Sequence, residues 1–344
     1  MLHIQLMHDF WETVDQVTMQ SPVVSQIAAR WLNAPVTIYS LRASANITAI
    51  VGTERKEQIL LRFNPVGERP VERLRSELEV IRQLANRGIH TPLLLPSLIG
   101  NDIECVSTQL GDFYAVAFAV MPGEHFEFEQ LTLKEFGEWG RALGQLHKAC
   151  EKLRIVHRPS WATHIQLVKE IVPQGEEWLW RELLVIEALL AQLEMNEAGF
   201  GLIHYDFELD NILWYEGKPG ILDFDDSGYY WFVADMATAL RDLFDDRIDR
   251  INFQDERFRT FVEGYRSLRP MGTEELKTIP LFLRLHNLVT YARVYRAISD
   301  PIQAEPQWMQ DLRQKLQGKL AQYQQNVDIY PIGPFYENWS EQMM

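Results

Sequence analysis

Acidic and amide side chains in two neighbouring segments of the chain have the types that metal binding and proton transfer require. Asp206 and Asn211 lie in the first segment, and Asp223 and Asp225 lie in the second. Carboxylate and amide oxygens are hard ligands that suit Mg²⁺, and a carboxylate can accept the proton of an attacking hydroxyl group. Phosphoryl transfer needs this set, because its catalysis consists mainly of positioning and charge neutralisation.

A predicted β-hairpin links the two segments. Short apolar runs at residues 212–215 and 220–222 flank the turn Glu216-Gly217-Lys218-Pro219, and glycine and proline are typical of turns. Because a hairpin returns the chain to its starting point, the polar residues before and after it would lie close together. The sequence therefore predicts one site rather than two separate polar loops.

Each of these side chains has a predicted task. Asp206 is the candidate base for the proton of an acceptor hydroxyl, and Asn211 and Asp223 are candidate magnesium ligands. Asp225 is assigned as a further ligand, with Asp226 as the alternative one residue along. Aspartate and asparagine also form turns that carry no chemistry, but the joint occurrence of these residues favours a site.

The motifs that contain these residues resemble those of the aminoglycoside phosphotransferase and choline kinase superfamily, which is related to the protein kinases. The superfamily's catalytic loop reads His-Gly-Asp, four residues and Asn, and the chain reads His204-Tyr205-Asp206-Phe207-Glu208-Leu209-Asp210-Asn211. Its metal motif is matched by Leu222-Asp223-Phe224-Asp225. Two motifs at this spacing are far more specific than one. The resemblance implies a phosphotransferase that uses ATP and Mg²⁺ and acts on a hydroxyl of a small molecule.

The resemblance also implies a set of nucleotide-binding residues in the first part of the chain. Arg62 stands where a basic residue contacts the α- and β-phosphates, and Glu77 stands where its acidic partner is placed, with Glu79 as the alternative. Ser44 and Asn46 lie in the loop that covers the phosphates. Met121 begins the segment similar to the interlobe hinge that receives adenine.

Three features depart from the family pattern. Arg62 replaces the lysine of protein kinases, although an arginine still offers a cationic fork to phosphate oxygens. Residues 42–48 contain no glycine, so Ser44 and Asn46 would contact phosphates through their side chains. Tyr205 replaces the usual glycine of the catalytic loop, and this change would narrow the pocket or reshape the loop.

The order of predicted elements indicates an α+β fold. The predicted strands lie at residues 36–41, 48–52, 58–63, 98–99, 103–107 and 114–120, and the predicted helices lie at 9–32, 70–87, 133–150, 178–193, 236–244, 258–265, 281–298 and 309–327. The resemblance implies a protein-kinase-like, two-lobed fold. Its small β-rich N-terminal lobe would span residues 1–122 with a helical extension, and its larger, mainly helical C-terminal lobe would span residues 123–344.

Composition excludes some classes of partner. The 33 basic and 48 acidic residues give a net charge of −15, so we expect no nucleic-acid surface, which needs a basic face. No apolar run is long enough to cross a membrane. Cys105 and Cys150 make no disulfide framework, which fits a reducing cytoplasm. The acidic surface would suit a cationic acceptor, and the oligomeric state is left open.

Two other functions are compatible with parts of the pattern. One is a protein serine/threonine kinase of the stress-response type, but Asp226 and Asp235 are too close in the chain for a long activation segment. The other is a catalytically silent nucleotide-binding regulator, which Arg62 and the glycine-poor loop favour. The complete set of base and metal ligands favours an enzyme. Homoserine, a choline-like alcohol, a sugar or an aminoglycoside would each satisfy this set as acceptor.

Overall fold

The structure is a computed structural model that describes residues 2–15, 17–54, 58–299, 305–333 and 335. Its residues divide into two units. The first comprises Met1–Arg82, Pro92–Met121 and Arg296–Gln314, and the second comprises Gln83–Thr91, Pro122–Tyr295 and Lys315–Met344. The assignment of a nucleotide-binding domain to residues 1–122 and a catalytic domain to residues 123–344 stays a prediction.

An antiparallel sheet forms the centre of the first unit. The described strands are β1 (Thr37–Ala43), β2 (Ile47–Gly52), β3 (Gln58–Pro65), β4 (Leu94–Leu95), β5 (Glu104–Thr108) and β6 (Gly111–Ala119). Their order is β1-β2-β3-β6-β4, and β5 also pairs with β6. The β-branched and aromatic residues of these segments favour the extended conformation. The prediction of a strand at residues 98–99 is wrong, because the chain forms a turn there and β4 lies earlier.

The two faces of β3 have different partners. Phe63 packs its ring 6.0 Å from that of Phe10 in α1 (Ile4–Glu12) and 5.7 Å from that of Phe113. Its neighbour Arg62 pairs with Glu77 of α3 (Val71–Ala85). Because successive side chains of a strand point to opposite faces, the strand buries an aromatic core on one face and an ion pair on the other.

The prediction of one continuous helix over residues 9–32 is wrong. The chain forms α1 and then a second helix, α2 (Pro22–Ala28). Ser21 caps α2 by accepting a hydrogen bond from the backbone N–H of Val24 at 3.3 Å, and Pro22 occupies the first turn. Proline is suited to that position but breaks a helix interior, so the apolar spacing continued across a break.

Helices are the main elements of the second unit. They are α4 (Leu133–Cys150), α5 (Trp161–Ile171), α6 (Glu177–Leu190), α7 (Val233–Ala239), α8 (Glu256–Arg266), α9 (Thr273–Leu276), α10 (Ile279–Ile298) and α11 (Gln307–Ile329), the last two continuing into residues of the first unit. The predicted bounds of α4 are confirmed, whereas α5 was not predicted. Among the described residues, no helix is long and apolar enough to cross a membrane.

Two small antiparallel pairs lie among these helices. β7 (Phe200–Ile203) pairs with β10 (Gly228–Trp231), and β8 (Ile212–Tyr215) pairs with β9 (Lys218–Ile221). The predicted hairpin is confirmed, but its turn is shorter than expected. Only Glu216 and Gly217 form it, with φ values of 51° and 73°; two consecutive residues with positive φ are typical of a tight hairpin turn.

Helices α4 and α8 cross at glycine residues. A Cβ atom on Gly140 would lie 1.9 Å from the backbone oxygen of Phe261, and one on Gly264 would lie 2.0 Å from the backbone oxygen of Gly137. The two backbones therefore approach more closely than any side chain would allow. This contact fixes α4, which carries His147 to the loop described below.

We expect Gly140→Ala to lower the free energy of unfolding by about 3 kcal/mol, because the added methyl group must push the two helices apart. Gly137→Ala is the matched control on the same helix. A Cβ there would lie 3.4 Å from Thr260 Cγ2, and alanine gains up to about 1 kcal/mol of helix propensity over glycine. Equal effects of the two substitutions in urea titrations would contradict the close contact.

Candidate functional site

Arg62 and Glu77 form a buried, two-pronged ion pair in the first unit. The Nη1 and Nη2 atoms of Arg62 donate to Oε1 and Oε2 of Glu77, each at 2.7 Å, and the two side chains are 8% and 1% exposed. This geometry uses the planar fork that distinguishes arginine from lysine. The structure therefore pairs Arg62 with Glu77, as predicted, and fixes the direction of its guanidinium. A contact with nucleotide phosphates stays a prediction.

The other predicted nucleotide-binding residues lie at the ends of strands. The backbone N–H of Ser44 donates to the carbonyl of Asn46 at 3.0 Å, which closes a tight turn between β1 and β2. Asn46 is buried, and its Oδ1 atom makes no hydrogen bond to another described residue. Ser44 and Met121 are half-buried. The contacts of these three residues with a nucleotide stay predictions.

The predicted base and its neighbouring amide are in direct contact. Asn211 Nδ2 donates to the carboxylate Oδ2 of Asp206 at 3.0 Å and to the Asp206 backbone oxygen at 2.9 Å. A short 3₁₀ turn at Leu209–Asn211 brings the chain back to make these bonds. Because the Asn211 nitrogen faces Asp206, the amide oxygen Oδ1 does not take part in this contact.

His204 connects this loop to the second polar segment. Its Nε2 atom lies 2.8 Å from the backbone oxygen of Leu222, and its Nδ1 atom accepts the N–H of Asp206 at 3.3 Å. The N–H of Leu222 donates to the carbonyl of Asn211 at 2.8 Å. The hairpin thus brings the residue before Asp223 into contact with the loop that contains Asp206, as the sequence predicted.

The second segment is held by an arginine that sequence reasoning missed. Arg158 is 8% exposed, and its guanidinium donates to the backbone oxygens of Phe224 at 3.0 Å, Asp225 at 2.5 Å and Ser227 at 2.8 Å. Three carbonyls that converge on one cation fix the path of the loop. Nothing in the local sequence around Arg158 distinguishes it from a surface arginine.

The carboxylates of the second segment have distinct environments. Asp223 has φ of 54°, and its Oδ1 atom accepts the N–H of Asp225 at 3.3 Å. Asp226 instead forms a two-pronged ion pair with Arg293 of α10, at 2.6 and 2.8 Å. Since Asp226 has a cationic partner, the assignment of Asp225 rather than Asp226 as a metal ligand is retained as a prediction.

Asp235 anchors the catalytic loop from beneath. Its carboxylate accepts the backbone N–H groups of His204 at 2.8 Å and Tyr205 at 2.5 Å. It also lies 2.9 Å from Nε2 of His147 on α4, whose Nδ1 lies 2.9 Å from the Tyr265 hydroxyl. The side chains of His147 and Asp235 are fully buried. The loop is therefore fixed by main-chain hydrogen bonds to one buried carboxylate.

Tyr205 retains the backbone conformation that glycine would adopt. Its φ is 71°, in the left-handed region that glycine enters without steric cost. The ring is buried, with its centroid 4.5 Å from that of His164 and 4.9 Å from that of Tyr230. Packing of the aromatic ring accompanies the strained backbone, and the tyrosine side chain fills space beside the loop.

Burial and like charge alter the acidity of this site. Burial, followed by the nearby carboxylate of Asp226, raises the pKa of Asp206. Burial and the negative charge of Asp206 raise the pKa of Glu208 to about 8. A carboxylate with a raised pKa is a stronger base than an ordinary aspartate and is a better proton acceptor. Perturbed carboxylates are frequent at catalytic sites.

The donor set fits a hard divalent cation. Asp223 and Asp225 supply carboxylate oxygens and Asn211 supplies an amide oxygen, and Mg²⁺ is usually held by one or two carboxylates together with phosphate oxygens and water. Within the described ranges no cluster of three histidine, cysteine, aspartate or glutamate side chains is arranged as a complete metal cage. A site of this kind depends on the bound nucleotide for its remaining ligands.

The buried side chain of His147 makes the stability of the folded protein depend on pH. Burial is the largest influence on His147 and lowers its pKa, whereas a histidine in the unfolded chain titrates near 6.5. As pH falls below about 6.5, His147 therefore takes up a proton in the unfolded chain but stays neutral in the folded protein. We expect this group to reduce the unfolding free energy by up to about 1.4 kcal/mol per pH unit in that range.

Urea titrations of wild type and His147→Gln between pH 8 and pH 5.5 test this expectation. The variant cannot take up this proton, so its stability should fall less steeply with decreasing pH. His125→Gln is the control, because His125 is exposed. Parallel pH profiles for wild type and His147→Gln would contradict the assignment.

The chain is similar in sequence to known phosphotransferases. The model of the family described as "Phosphotransferase enzyme family" matches residues 41–271. Amicoumacin kinase of Bacillus subtilis (strain 168) is 26% identical over 300 residues, which cover 84% of this chain and 89% of that protein. Homoserine kinase of Chelativorans sp. (strain BNC1) is 26% identical over 214 residues, which cover 60% of this chain and 64% of that protein.

Solved structures share the fold at lower identity. An amicoumacin kinase in complex with AMP-PNP and Ca²⁺ superposes with a TM-score of 0.74 at 21% identity, covering 96% of this chain and 99% of that chain. A microcompartment-associated aminopropanol kinase superposes with a TM-score of 0.67 at 22% identity, covering 89% and 97%. These matches confirm the predicted protein-kinase-like α+β fold.

The family match settles the class of the protein. It spans both predicted motifs and most of the chain, and the named relatives are small-molecule kinases. A protein kinase and a silent regulator are not favoured by these findings. The chain belongs to the phosphotransferase enzyme family, and it is an ATP-dependent small-molecule kinase.

Proposed function

We propose that Asp206 is the catalytic base of this kinase and that Asn211, Asp223 and Asp225 hold a magnesium ion. The observation that carries the proposal is the contact between Asp206 and Asn211, tied through Leu222 to the segment of Asp223. Arg62 is proposed to contact the nucleotide phosphates, and Ser44, Asn46 and Met121 to complete nucleotide binding. The bound magnesium would neutralise phosphate charge.

The reaction follows from the position of the base. The acceptor hydroxyl would lie beside Asp206, whose carboxylate accepts its proton as the oxygen attacks the γ-phosphorus of ATP. The bond between the γ-phosphorus and the β–γ bridging oxygen breaks, and ADP leaves. Asn211 would keep the carboxylate aligned through its hydrogen bond to Oδ2. Asp235 and Arg158 would keep both loops in place during the transfer.

The acceptor is proposed to be a small alcohol. Three of the proteins similar to this chain are kinases of amicoumacin, homoserine and aminopropanol, so these compounds are the first to test. A cytoplasmic location is also proposed, since ATP is supplied there and the described cysteines, Cys105 and Cys150, form no disulfide. No described feature favours a second function.

The role of Asp206 is tested by Asp206→Asn. We expect turnover with ATP and an acceptor to fall at least about 100-fold, because the amide cannot accept the proton, while the Kd for nucleotide changes little. Asp210→Asn is the matched control, since Asp210 is exposed in the same loop. Turnover is measured by ADP release, and nucleotide affinity by calorimetry. Comparable turnover in wild type and Asp206→Asn would exclude this base.

The metal role of Asp223 is tested by Asp223→Ala. Wild type should bind ATP more tightly as Mg²⁺ is raised, because a magnesium ion held by Asp223 would offset the negative charge of the phosphates. The variant should lose most of this dependence, whereas Asp112→Ala, which removes an exposed charge, should keep it. Calorimetric titrations with ATP at several Mg²⁺ concentrations measure how the Kd for ATP depends on magnesium. Identical magnesium dependence in wild type and Asp223→Ala would refute the assignment.

A further inference from the structure

A line of buried polar side chains leads away from Asp235 between α4 and α8. His147 Nε2 lies 2.9 Å from Asp235 Oδ2, and His147 Nδ1 lies 2.9 Å from the Tyr265 hydroxyl. Arg269 Nη1 lies 3.3 Å from the same hydroxyl. All four residues are at least nine-tenths buried, and we call them the hydrogen-bond chain. Tyr265 and Arg269 have no task in the proton transfer itself.

Only one placement of protons satisfies the contacts of His147. A carboxylate only accepts hydrogen bonds, so His147 must carry its proton on Nε2 to bond to Asp235. Burial lowers the pKa of His147 and keeps its ring neutral, so Nδ1 has no proton and acts as an acceptor. Tyr265 must then donate its hydroxyl proton to Nδ1. Burial raises the pKa of Tyr265, so the hydroxyl keeps that proton at neutral pH.

Arg269 sets the same order from the other end of the hydrogen-bond chain. A guanidinium group only donates, so its Nη1 atom bonds to the oxygen of Tyr265 and leaves the hydroxyl proton free to point at His147. Every bond therefore runs in one direction, from Arg269 through Tyr265 and His147 to Asp235. Hydrogen bonds arranged head to tail in this way polarise and strengthen one another.

Contacts on three sides fix the guanidinium group of Arg269. Its Nη2 atom donates to the backbone oxygen of Ala198, and its Nε atom lies 3.5 Å from a carboxylate oxygen of Glu151. Its central carbon lies 3.9 Å from the centroid of the Phe232 ring, and that centroid lies 4.7 Å from that of His147. A planar group held in this way presents its Nη1 atom in one direction.

The other end of the hydrogen-bond chain lies at the catalytic loop. Besides the proton of His147, Asp235 accepts the backbone N–H groups of His204 and Tyr205, and Asp206 follows next in the sequence. With the proton on Nδ1 instead, the lone pair of His147 Nε2 would face a carboxylate oxygen at 2.9 Å and repel it. The orientation of the carboxylate that holds the loop thus depends on the tautomer of His147.

We propose that Tyr265 and Arg269 are positioning residues, which select the tautomer of His147 and so hold the catalytic loop in the geometry that the base requires. This inference rests on the proposed role of Asp206, and it adds two side chains that act on the base only through Asp235. A small displacement of a catalytic group lowers turnover strongly, even when its cause lies far from the reacting atoms.

The tautomer of His147 is measured first, in the unsubstituted protein. Long-range proton–nitrogen correlation spectra of protein made with ¹⁵N-labelled histidine distinguish a protonated ring nitrogen from a bare one, and His147→Gln identifies the signal. We expect a protonated Nε2 and a bare Nδ1 at pH 7. A protonated Nδ1 in wild type would overturn the proposal without the need for any further variant.

Tyr265→Phe removes the donor to Nδ1 and keeps the aromatic ring. We expect the two tautomers of His147 to become mixed, and the backbone N–H groups of His204 and Tyr205 to exchange with deuterium about tenfold faster. Turnover is assayed with ATP and whichever of homoserine, aminopropanol and amicoumacin is phosphorylated. We expect kcat to fall about tenfold and the KM for ATP to change less than about twofold. Arg269→Met should act in the same direction, and Arg269→Lys, which keeps a donor, should lie closer to wild type.

Ser267→Ala is the matched control at the same end of α8. The exposed hydroxyl of Ser267 accepts a hydrogen bond from Nη1 of Arg141 at 3.2 Å, so this variant also loses a hydrogen bond but leaves the hydrogen-bond chain intact. It should keep the wild-type tautomer of His147, the wild-type exchange rates of the two loop N–H groups and the wild-type kcat.

The two kinds of measurement separate this inference from the proposed function. A lower Tm of Tyr265→Phe with an unchanged tautomer, unchanged exchange rates or unchanged kcat would show a merely structural hydroxyl and would overturn the inference. Equal changes in Ser267→Ala would overturn it as well. Where none of the three alcohols is phosphorylated, the spectra and the exchange rates still decide. Full turnover in Asp206→Asn would instead refute the proposed base, whatever the tautomer of His147.

Discussion

The buried carboxylate of Asp235 is the interaction on which the candidate site depends. It accepts two consecutive main-chain N–H groups, those of His204 and Tyr205, and it faces the imidazole of His147. A fully buried carboxylate is tolerated only when hydrogen bonds replace its hydration. The same requirement fixes the conformation of the catalytic loop, because the two N–H groups must stay within hydrogen-bond distance of the Asp235 carboxylate. Asp206 follows immediately after these two residues.

The rest of the site extends this arrangement through main-chain contacts. His204 and Asn211 both bond to the backbone of Leu222, so the order imposed by Asp235 reaches the residue before Asp223. Arg158 acts in the same way on the second loop, where it satisfies three backbone oxygens. The side chains with proposed chemical roles are thus supported by residues that contact the backbone.

The site concentrates negative charge at a cost in stability. Asp206, Glu208 and Asp242 all have raised pKa values, and burial is the leading cause in each case. Arg293 and Arg241 offset part of this charge through their pairs with Asp226 and Glu208. Carboxylates held in this way are stabilised in their charged form by any cation that comes close to them.

The sequence by itself determined the class of fold, the two motifs and the family, because motif spacing and element order are local properties of the chain. It also predicted that the hairpin joins Asp206 and Asn211 to the segment of Asp223, which the hydrogen bonds to Leu222 confirm. The prediction of one helix over residues 9–32 was wrong because the apolar periodicity continues across Ser21 and Pro22, where a second helix begins.

Only the tertiary structure decided which distant residues support those motifs. Arg158 and Arg293, which contact the second polar segment, are separated from it by long stretches of chain, and no local pattern marks their side chains. Their roles arise from burial, because a buried polar group needs a hydrogen-bond partner within the protein. Burial and the approach of distant charges also set the acidity of Asp206, and both are properties of the packed protein rather than of the sequence order.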